Sequence, residues 1–330
     1  MRIGNLVIYR DNVKRLCSMI TGYTSPDRDP DLPPKKVEGD ISVDSDLGAS
    51  TSIGKYRDNQ EDAVLIMKHK ANQKYKMMVV ADGVGGGLSG ERASYICVNE
   101  MKIWFDHLDP QIFRDKDLLY LELYRRLDII NKKINALGDG AETTFVCAIV
   151  ADRYTWIVNI GDSRAYIVEG KRFQQISTDD SDAQAFYEHG LIEKKDDMRF
   201  AKISNRITNS LGGSRLNVTP NAVAIPNDSY DAILLFSDGV TDCLSDEQIF
   251  AVTRKTSAKR IAHKLVQKAL RTVSTRKKKP NDQIAFYEEI QPGKDNTTAA
   301  VLLNDRREDG SHDERWYSWN KRWKWNNKKI

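Results

Sequence analysis

Short apolar runs separated by polar turns alternate along the middle of this chain of 330 residues. Runs of roughly four to eight apolar residues, bounded by glycine, asparagine or aspartate, are typical of buried strands. One such run, 77–81, stops at an aspartate, and the others are at 144–150, 155–160, 165–168, 232–236 and 298–303. The pattern therefore predicts a core built largely from strands.

Apolar residues spaced three and four positions apart predict helices between these strands. The helical pattern covers 89–105, 117–137 and 257–273, and Gly138 predicts the end of the second helix. Ser245 and Gln248 have the spacing of a capping box, which predicts another helix start. Strands and helices are mixed without regular β-α-β alternation, and this order favours an α+β fold of packed layers.

The ends of the chain and two internal segments depart from this pattern. We predict an N-terminal extension and linker at 1–40, one domain at 41–304 and a C-terminal tail at 305–330 that carries four tryptophans among lysines and arginines. Within the domain, 177–215 is polar and irregular, and about 274–294 is a basic insertion. No internal repeat is visible.

The net charge of +4 is ordinary, but its distribution is uneven. Eleven Lys or Arg and no Asp or Glu fall in 251–280, so the remainder of the chain is net acidic. No run approaches the roughly 20 apolar residues that span a bilayer, and 1–20 is too interrupted by charge for a secretory signal. The cysteines lack metal-ligand spacing, which predicts reduced thiols in a cytoplasmic protein. They are Cys17, Cys97, Cys147 and Cys243.

Acidic residues lie at the ends of the predicted strands. An acid next to a buried strand is costly unless something neutralises it. Each one alone could be a turn residue, and the pair Asp82–Gly83 is also a common hairpin signal. Several together predict a shared cation site, because carboxylates and backbone carbonyls are preferred ligands of Mg²⁺ and Mn²⁺. The acids are Asp82, Asp162, Asp238, Asp242 and Asp295.

The motifs around these acids resemble, in order, those of the metal-dependent protein phosphatase family, the protein phosphatase 2C or PPM type. The resemblance covers about 42–303 and is carried by RDNQED, VVADGVGGG with GERAS after it, ETTFVCAIV, NIGDSRAYIV, LLFSDGVTD and DNTTAAVLL. The GGG…GERAS and SLGGS segments resemble bacterial members. The resemblance implies a four-layer αββα sandwich, with a central antiparallel β-sandwich flanked by helices.

The resemblance also implies a site for two Mn²⁺ or Mg²⁺ ions. Asp82 would bridge the two ions. Asp238 and Asp295 would complete the coordination of the first ion, and Glu61 with the carbonyl of Gly83 would bind the second.

Further roles follow from the same resemblance. Asp162, Asp238 and Asp242 match a third, weaker metal site of bacterial members. Arg57 matches the arginine that binds the substrate phosphate, and Asp62 matches the acid that orients a metal-bound water.

The implied activity is hydrolysis of phosphoserine and phosphothreonine by direct attack of a metal-bridging water. Phosphorylated proteins would be the substrates, and a Ser/Thr kinase would act in opposition in signalling. Two alternatives stay open: a non-catalytic metal-binding adaptor for phosphoproteins, and a two-metal phosphoesterase for another phosphoester such as a nucleotide. The complete set of acids favours an active enzyme.

Histidines are missing from positions where members of the family carry them. Val84, Gly87 and Asp180 stand at these positions. The sequence therefore assigns no general acid, and solvent, or a water on the third metal, would have to protonate the leaving oxygen. His189 lies in the irregular segment, where a histidine is either solvated or able to reach the site.

Three charged segments each have two interpretations. The segment 177–215 matches the family's flap, and its charges at 193–197 predict either a solvated face or selection of the phosphoprotein. The run 276–279 predicts either a solvated loop or a surface for an acidic partner, nucleic acid or anionic lipid. The tail at 305–330 predicts packing onto the domain, or contact with a partner or membrane surface.

Overall fold

The computed structural model describes residues 38–84, 88–253 and 256–304. Residues 1–37 of the predicted N-terminal extension and the tryptophan-rich tail lie outside these residues. The first described strand begins at Gly39, two residues before the predicted start of the domain.

Two antiparallel sheets form the centre of the fold. The first has the strand order β1 (Gly39–Ser42), β2 (Leu47–Ser52), β15 (Thr297–Leu303), β12 (Ala232–Phe236), β8 (Arg164–Glu169) and β9 (Arg172–Gln175). The second has the order β10 (Leu211–Gly212), β5 (Glu142–Thr143), β4 (Asn72–Val84), β6 (Phe145–Val150), β7 (Tyr154–Ile160) and β11 (Asn221–Pro226), and β3 (Asp62–His69) also pairs with β4.

Helices cover the outer faces of both sheets. Helices α1 (Leu88–His107) and α2 (Lys116–Asn135) pack on the second sheet. Helices α4 (Asp238–Thr241), α5 (Asp246–Phe250) and α6 (Ala258–Ala269) pack on the first. Short 3-10 turns are at Ile112–Arg114, Lys195–Phe200 and Asn227–Ser229.

The described residues form three large hydrophobic clusters, one between the sheets and one beneath the helices on each side, and a fourth, smaller cluster in the flap. Val64, Met78 and Leu235 are among the buried residues between the sheets. Each sheet is covered on one face by the other sheet and on the other face by helices. Successive strand residues are therefore buried on both faces, which accounts for the nearly continuous apolar runs of the sequence. The layers confirm the predicted αββα sandwich of the α+β class.

The flap contains α3 (Asp182–Glu188), and the basic insertion contains a small ribbon of β13 (Ser274–Thr275) and β14 (Glu289–Ile290). The capping box of Ser245 and Gln248 is present at the start of α5. Among the described residues, none of the helices combines the length and apolar character needed to cross a membrane.

One local prediction was wrong. Asp82 and Gly83 do not form a tight turn, because β4 continues through Val84. Gly83 pairs with Thr143 of β5, and its N–H donates to the carbonyl of Glu61 at 3.0 Å. These hydrogen bonds keep the backbone extended beyond the acid.

Candidate active site

The strand registers bring the acidic stretches to one end of the sandwich. In the hairpin of β3 and β4, Asp62 lies directly opposite Asp82. In the other sheet, Asp238 follows the end of β12, whose antiparallel neighbours β8 and β15 begin just after Asp162 and Asp295. Antiparallel pairing therefore places the end of one strand beside the starts of the other two.

Thr143 and Thr144, at the junction of β5 and β6, hold the backbone of Asp82. Its N–H donates to Thr144 Oγ1 at 3.0 Å, and its carbonyl accepts from the Thr144 N–H at 2.8 Å and from Thr143 Oγ1 at 3.0 Å. A Cβ on the next residue, Gly83, would lie 2.1 Å from the carbonyl oxygen of Gly90. Only glycine allows α1 to approach the strand this closely.

Side chains from the other sheet and from α1 hold the backbone of Glu61. Its N–H donates to Asn296 Oδ1 at 2.7 Å, and its carbonyl accepts from Ser94 Oγ at 2.5 Å. The amide of Asn296 also donates to the carbonyls of Ile53 and Asn59 at 2.9 and 3.0 Å. Asn296 thus links the RDNQED loop to the DN motif across the two sheets.

Asp62 is buried, and only one of its two carboxylate oxygens has a hydrogen-bond partner among the described residues. Its Oδ2 accepts a hydrogen bond from Ser237 Oγ at 2.7 Å, and Ser237 Oγ in turn accepts from the Thr298 N–H at 3.0 Å. Its other oxygen, Oδ1, is buried without a hydrogen-bond partner. Burial raises the pKa of Asp62 to about 7, and the nearby carboxylates of Asp295 and Glu61 also raise it.

The acids at this end of the sandwich raise one another's pKa values. Burial, followed by repulsion from Asp62, Asp238 and Asp295, raises the pKa of Asp82 well above its ordinary value. Burial and neighbouring acids, with Asp295 the strongest, do the same to Asp238. Asp238 Oδ1 is also buried without a partner. Carboxylate oxygens that repel one another and lack hydrogen-bond partners are suited to binding a cation. A bound cation would coordinate these oxygens and neutralise their repulsion.

The acids matched to a third metal line a small cavity beneath the flap. The cavity holds about 10 Å³, which is room for about one water molecule. Burial raises the pKa of Asp162 to about 7, and repulsion from Asp179 and Asp242 adds to the shift. The cavity is lined in part by Asp162, Asp238, Asp242, Arg164, Asp179 and Arg199.

Two basic side chains neutralise part of the acidic charge. Arg57 Nη2 donates to Asp295 Oδ2 at 2.7 Å, and Arg57 Nη1 lies 3.8 Å from Glu61 Oε2. Lys294 Nζ lies 3.6 Å from Asp242 Oδ2. Although burial lowers the pKa of Lys294, the carboxylates of Asp242, Asp238 and Asp295 raise it overall.

The acidic side chains are not arranged around a single point in this structure. Within 38–84, 88–253 and 256–304, no group of three or more His, Cys, Asp or Glu side chains is arranged as a ready-made metal site. Arg57 holds Asp295, and Lys294 lies beside Asp242, so these two acids each face a basic partner. A metal bound here would replace these contacts, and repulsion among the remaining acids favours that exchange.

The four histidines of the described residues bond elsewhere. His189 is exposed at the end of α3, with Nδ1 2.7 Å from the carbonyl oxygen of Ala185. His69 lies 3.0 Å from the Leu108 carbonyl, and His263 pairs with Asp40. His107 contacts the backbone of its own helix. None of these contacts involves the acids of the site.

Asp180 stands where family members carry a histidine, and here it anchors the flap. Its carboxylate accepts from the Gly161 N–H at 3.0 Å, from Asn209 Nδ2 at 3.0 Å and from Asn221 Nδ2 at 2.9 Å. These bonds link the start of the flap to the turn that carries Asp162.

The basic insertion packs against the flap, contrary to the prediction of a solvated loop. Arg276 is buried, donates to Asp282 at 2.5 and 2.8 Å, and lies 3.4 Å from Asp197 of the flap. Its guanidinium lies 3.6 Å above the centre of the Phe286 ring. Asp197 is buried as well, so the flap charges are not all on a solvated face. Lys277 and Lys278 are exposed.

Sequence reasoning missed the side chains that support the acids. Ser237 and Asn296 each lie one position from a predicted site residue, and Thr144 lies in the ETTFVCAIV motif, but their role depends on contacts between strands. Lys294 also directly precedes a predicted acid. Polar residues next to metal-site acids are the signal that could have identified them.

Comparisons with known proteins give the same picture. The sequence profile described as protein phosphatase 2C matches residues 55–275. The serine/threonine phosphatase stp of Listeria monocytogenes is 28% identical over 218 residues, which cover 63% of this chain and 84% of that protein.

Solved structures of bacterial phosphatases share the fold. Serine/threonine phosphatase Stp1 from Staphylococcus aureus is 26% identical with a TM-score of 0.66, covering 82% of this chain and 99% of that one. The catalytic domain of the serine threonine protein phosphatase PstP, in complex with two manganese ions, is 26% identical with a TM-score of 0.61, covering 78% and 96%.

The αββα sandwich is the fold of the bacterial serine/threonine phosphatases compared above. This chain belongs to the protein phosphatase 2C family, and the relatives named here are bacterial.

Proposed function

We propose that this protein is a Mn²⁺- or Mg²⁺-dependent phosphatase that hydrolyses phosphoserine and phosphothreonine in proteins. The observation that carries the proposal is the set of mutually repelling acids at one end of the sandwich, where, among the described residues, Asp62 and Asp238 each have a buried oxygen without a hydrogen-bond partner. The names of the relatives support the substrate class, and the two manganese ions of PstP support the metal.

The acids divide into groups around the positions that cations would take. Asp82 lies near acids from both sheets and would be shared by two ions. Asp238 and Asp295 would hold one of them, and Glu61 with the carbonyl of Gly83 would hold the other. The bound cations would activate water for direct attack on phosphorus and offset the charge of the phosphoryl oxygens.

The acids beneath the flap would form a weaker third site. Asp162, Asp238 and Asp242 line one cavity there. Lys294 lies beside Asp242 and would compete with a cation for its carboxylate. We therefore expect this site to bind more weakly than the other two.

Arg57 and Asp62 act on the reactants. Arg57 is 44% exposed, and its planar guanidinium can bind two phosphate oxygens once Asp295 is engaged by a cation. Asp62 has one oxygen committed to Ser237 and one free, so its Oδ1 would accept a hydrogen bond from the attacking water. Since no described histidine contacts the site acids, we assign protonation of the leaving oxygen to solvent.

The test is turnover of a phosphothreonine peptide by the wild-type protein, with Mn²⁺ and after chelation. We expect turnover only with metal, and a loss on the order of 1,000-fold or more in Asp238→Asn, because the chemical step loses a ligand of its cation. Asp228→Asn is the matched control, since Asp228 is an exposed acid in the 3-10 turn Asn227–Ser229.

Three outcomes would contradict the proposal. Full activity in Asp238→Asn or after chelation would exclude the metal mechanism. Metal binding with phosphopeptide binding but no turnover would indicate an adaptor. Turnover of a nucleotide with no turnover of the phosphopeptide would indicate a different phosphoesterase.

A further inference from the structure

A groove beside the phosphate site is formed jointly by Tyr56, which directly precedes the RDNQED motif, and the basic insertion. It encloses about 440 Å³, within the roughly 300–1,000 Å³ of ligand sites in proteins. Its lining is formed by Tyr56, Tyr287, Glu289, Ile290, Gln291 and Lys294. We propose that this groove selects substrates by binding an apolar or aromatic side chain a few residues from the phosphorylated one. This inference rests on the proposed phosphoprotein phosphatase activity.

The groove is continuous with the candidate site through the chain itself. Tyr56 directly precedes Arg57, and Lys294 directly precedes Asp295, while Arg57 and Asp295 are joined by the 2.7 Å ion pair. The two loops are also tied by a hydrogen bond from the Lys55 N–H to the Gly293 carbonyl at 2.7 Å. A peptide whose phosphate reaches Arg57 therefore has its neighbouring residues at the groove.

Exposed aromatic side chains on both walls indicate a binding role. Tyr56 is 65% exposed and Tyr287 is 45% exposed, although both are large side chains that usually contribute to cores. Ile290 between them is buried and supplies an apolar floor. Aromatic residues of this kind carry much of the binding energy at protein interfaces because they lose little conformational entropy.

The insertion holds Tyr287 in place by main-chain pairing with the flap. The Tyr287 N–H donates to the Phe200 carbonyl at 2.7 Å, and the Lys202 N–H donates to the Ala285 carbonyl at 3.0 Å. Lys202 Nζ also lies 5.6 Å from the centre of the Tyr287 ring. A wall fixed in this way can bind a side chain without first being ordered.

The charges at the groove are of both signs. Glu289 is exposed on the rim, and Lys294 lines the groove while lying 3.6 Å from Asp242. Neither sign dominates, so we expect the aromatic and apolar lining to decide which substrate residue is favoured.

A positional scan tests this inference. The substrates are phosphothreonine peptides in which phenylalanine replaces glycine singly at each of about three positions before and after the phosphothreonine. In the wild-type protein with Mn²⁺, we expect phenylalanine to raise kcat/KM by about fivefold or more at one position. The same preference should fall to near unity in Tyr287→Ala and in Tyr56→Ala.

Ile129→Ala is the control, since Ile129 is 48% exposed on α2 over the other sheet. It should keep the wild-type preference. Because each preference is a ratio within one variant, a general loss of activity does not imitate the expected result. Equal kcat/KM at all positions in the wild-type protein, or an unchanged preference in both tyrosine variants, would overturn the inference. Failure to hydrolyse any of the phosphopeptides would instead overturn the proposed function.

Discussion

Acidic side chains have opposite environments in two neighbouring regions of this molecule. Between the flap and the insertion, Asp197 and Asp282 are paired with Arg276, and Asp197 also lies 2.8 Å from Lys279. We call these four residues the flap brace. The hydrogen bonds from Arg276 lower the pKa of Asp282. At the end of the sandwich, burial and mutual repulsion raise the pKa values of Asp62, Asp82, Asp162 and Asp238.

The difference shows which acids serve the fold and which do not. The acids of the brace are neutralised by the chain itself, so they join two segments. The acids of the site are only partly neutralised, by Arg57 and Lys294, and their burial opposes folding. Groups that lower stability and lie together at the end of a sheet are expected at functional sites.

The largest expected effect is on the pH dependence of stability in the metal-free protein. Burial raises the pKa of Asp62 to about 7, so the folded state binds more protons than the unfolded state between about pH 4 and 7. Its contribution to stability is present at low pH and is lost as pH rises through about 7. We expect the free energy of unfolding to fall by a few kcal/mol over this range.

Urea unfolding in the presence of a chelator measures this slope. Saturating Mn²⁺ should flatten it, because a bound cation neutralises the same carboxylates. Asp62→Asn is the control and should show a smaller slope than the wild-type protein without metal. A free energy of unfolding that rises between pH 4 and 7 without metal would contradict the account.

A smaller effect is expected when one acid of the site is neutralised by substitution. Asp238→Asn should raise the free energy of unfolding of the metal-free protein by on the order of 1–3 kcal/mol, because it removes a buried charge repelled by Asp295 and Asp242. In saturating Mn²⁺ the same variant should be less stable than the wild-type protein, since it loses a ligand.

Thermal unfolding with chelator and with Mn²⁺ distinguishes these cases. The matched variant is Asp197→Asn in the brace, which should be destabilised under both conditions because Arg276 and Lys279 lose their shared partner. The comparison fails if both variants respond alike.

The smallest expected effect is local and concerns the flap. Arg276→Ala leaves Asp197 and Asp282 without their shared cation and removes the stacking on Phe286. We expect amide hydrogen exchange at 195–203 to rise by about tenfold, while exchange in β4 and β12 stays unchanged. Lys278→Ala is the control, because Lys278 is exposed in the same basic run. Unchanged exchange in the flap of Arg276→Ala would show that the brace does not hold it.

The sequence predicted most of the site because its acids lie at strand ends. Asp82, Asp162, Asp238 and Asp295 are recognisable by their position after or before an apolar run, and antiparallel pairing then brings them together. The strands 232–236 and 298–303 were predicted to within one residue for the same reason. The local pattern of apolar residues is enough to predict these strands, because it does not depend on distant contacts.

The flap brace could not be predicted in this way. Arg276 and Asp197 are 79 residues apart, and each lies in a charged stretch that is typical of a solvated surface. Their burial depends on the ribbon of β13 and β14, whose strands have only two residues each. The continuation of β4 beyond Asp82 was missed for a similar reason, because pairing with β5 overrides the turn preference of Asp–Gly.

The central claim is that the buried acids bind divalent cations, with Asp82 shared between two of them. Calorimetric titration of Mn²⁺ into the metal-free protein, compared with Asp82→Asn, tests it without relying on activity. We predict at least two Mn²⁺ ions bound by the wild-type protein and loss of both high-affinity sites in Asp82→Asn. An unchanged stoichiometry and affinity in the variant, or no Mn²⁺ binding by the wild-type protein, would contradict the account.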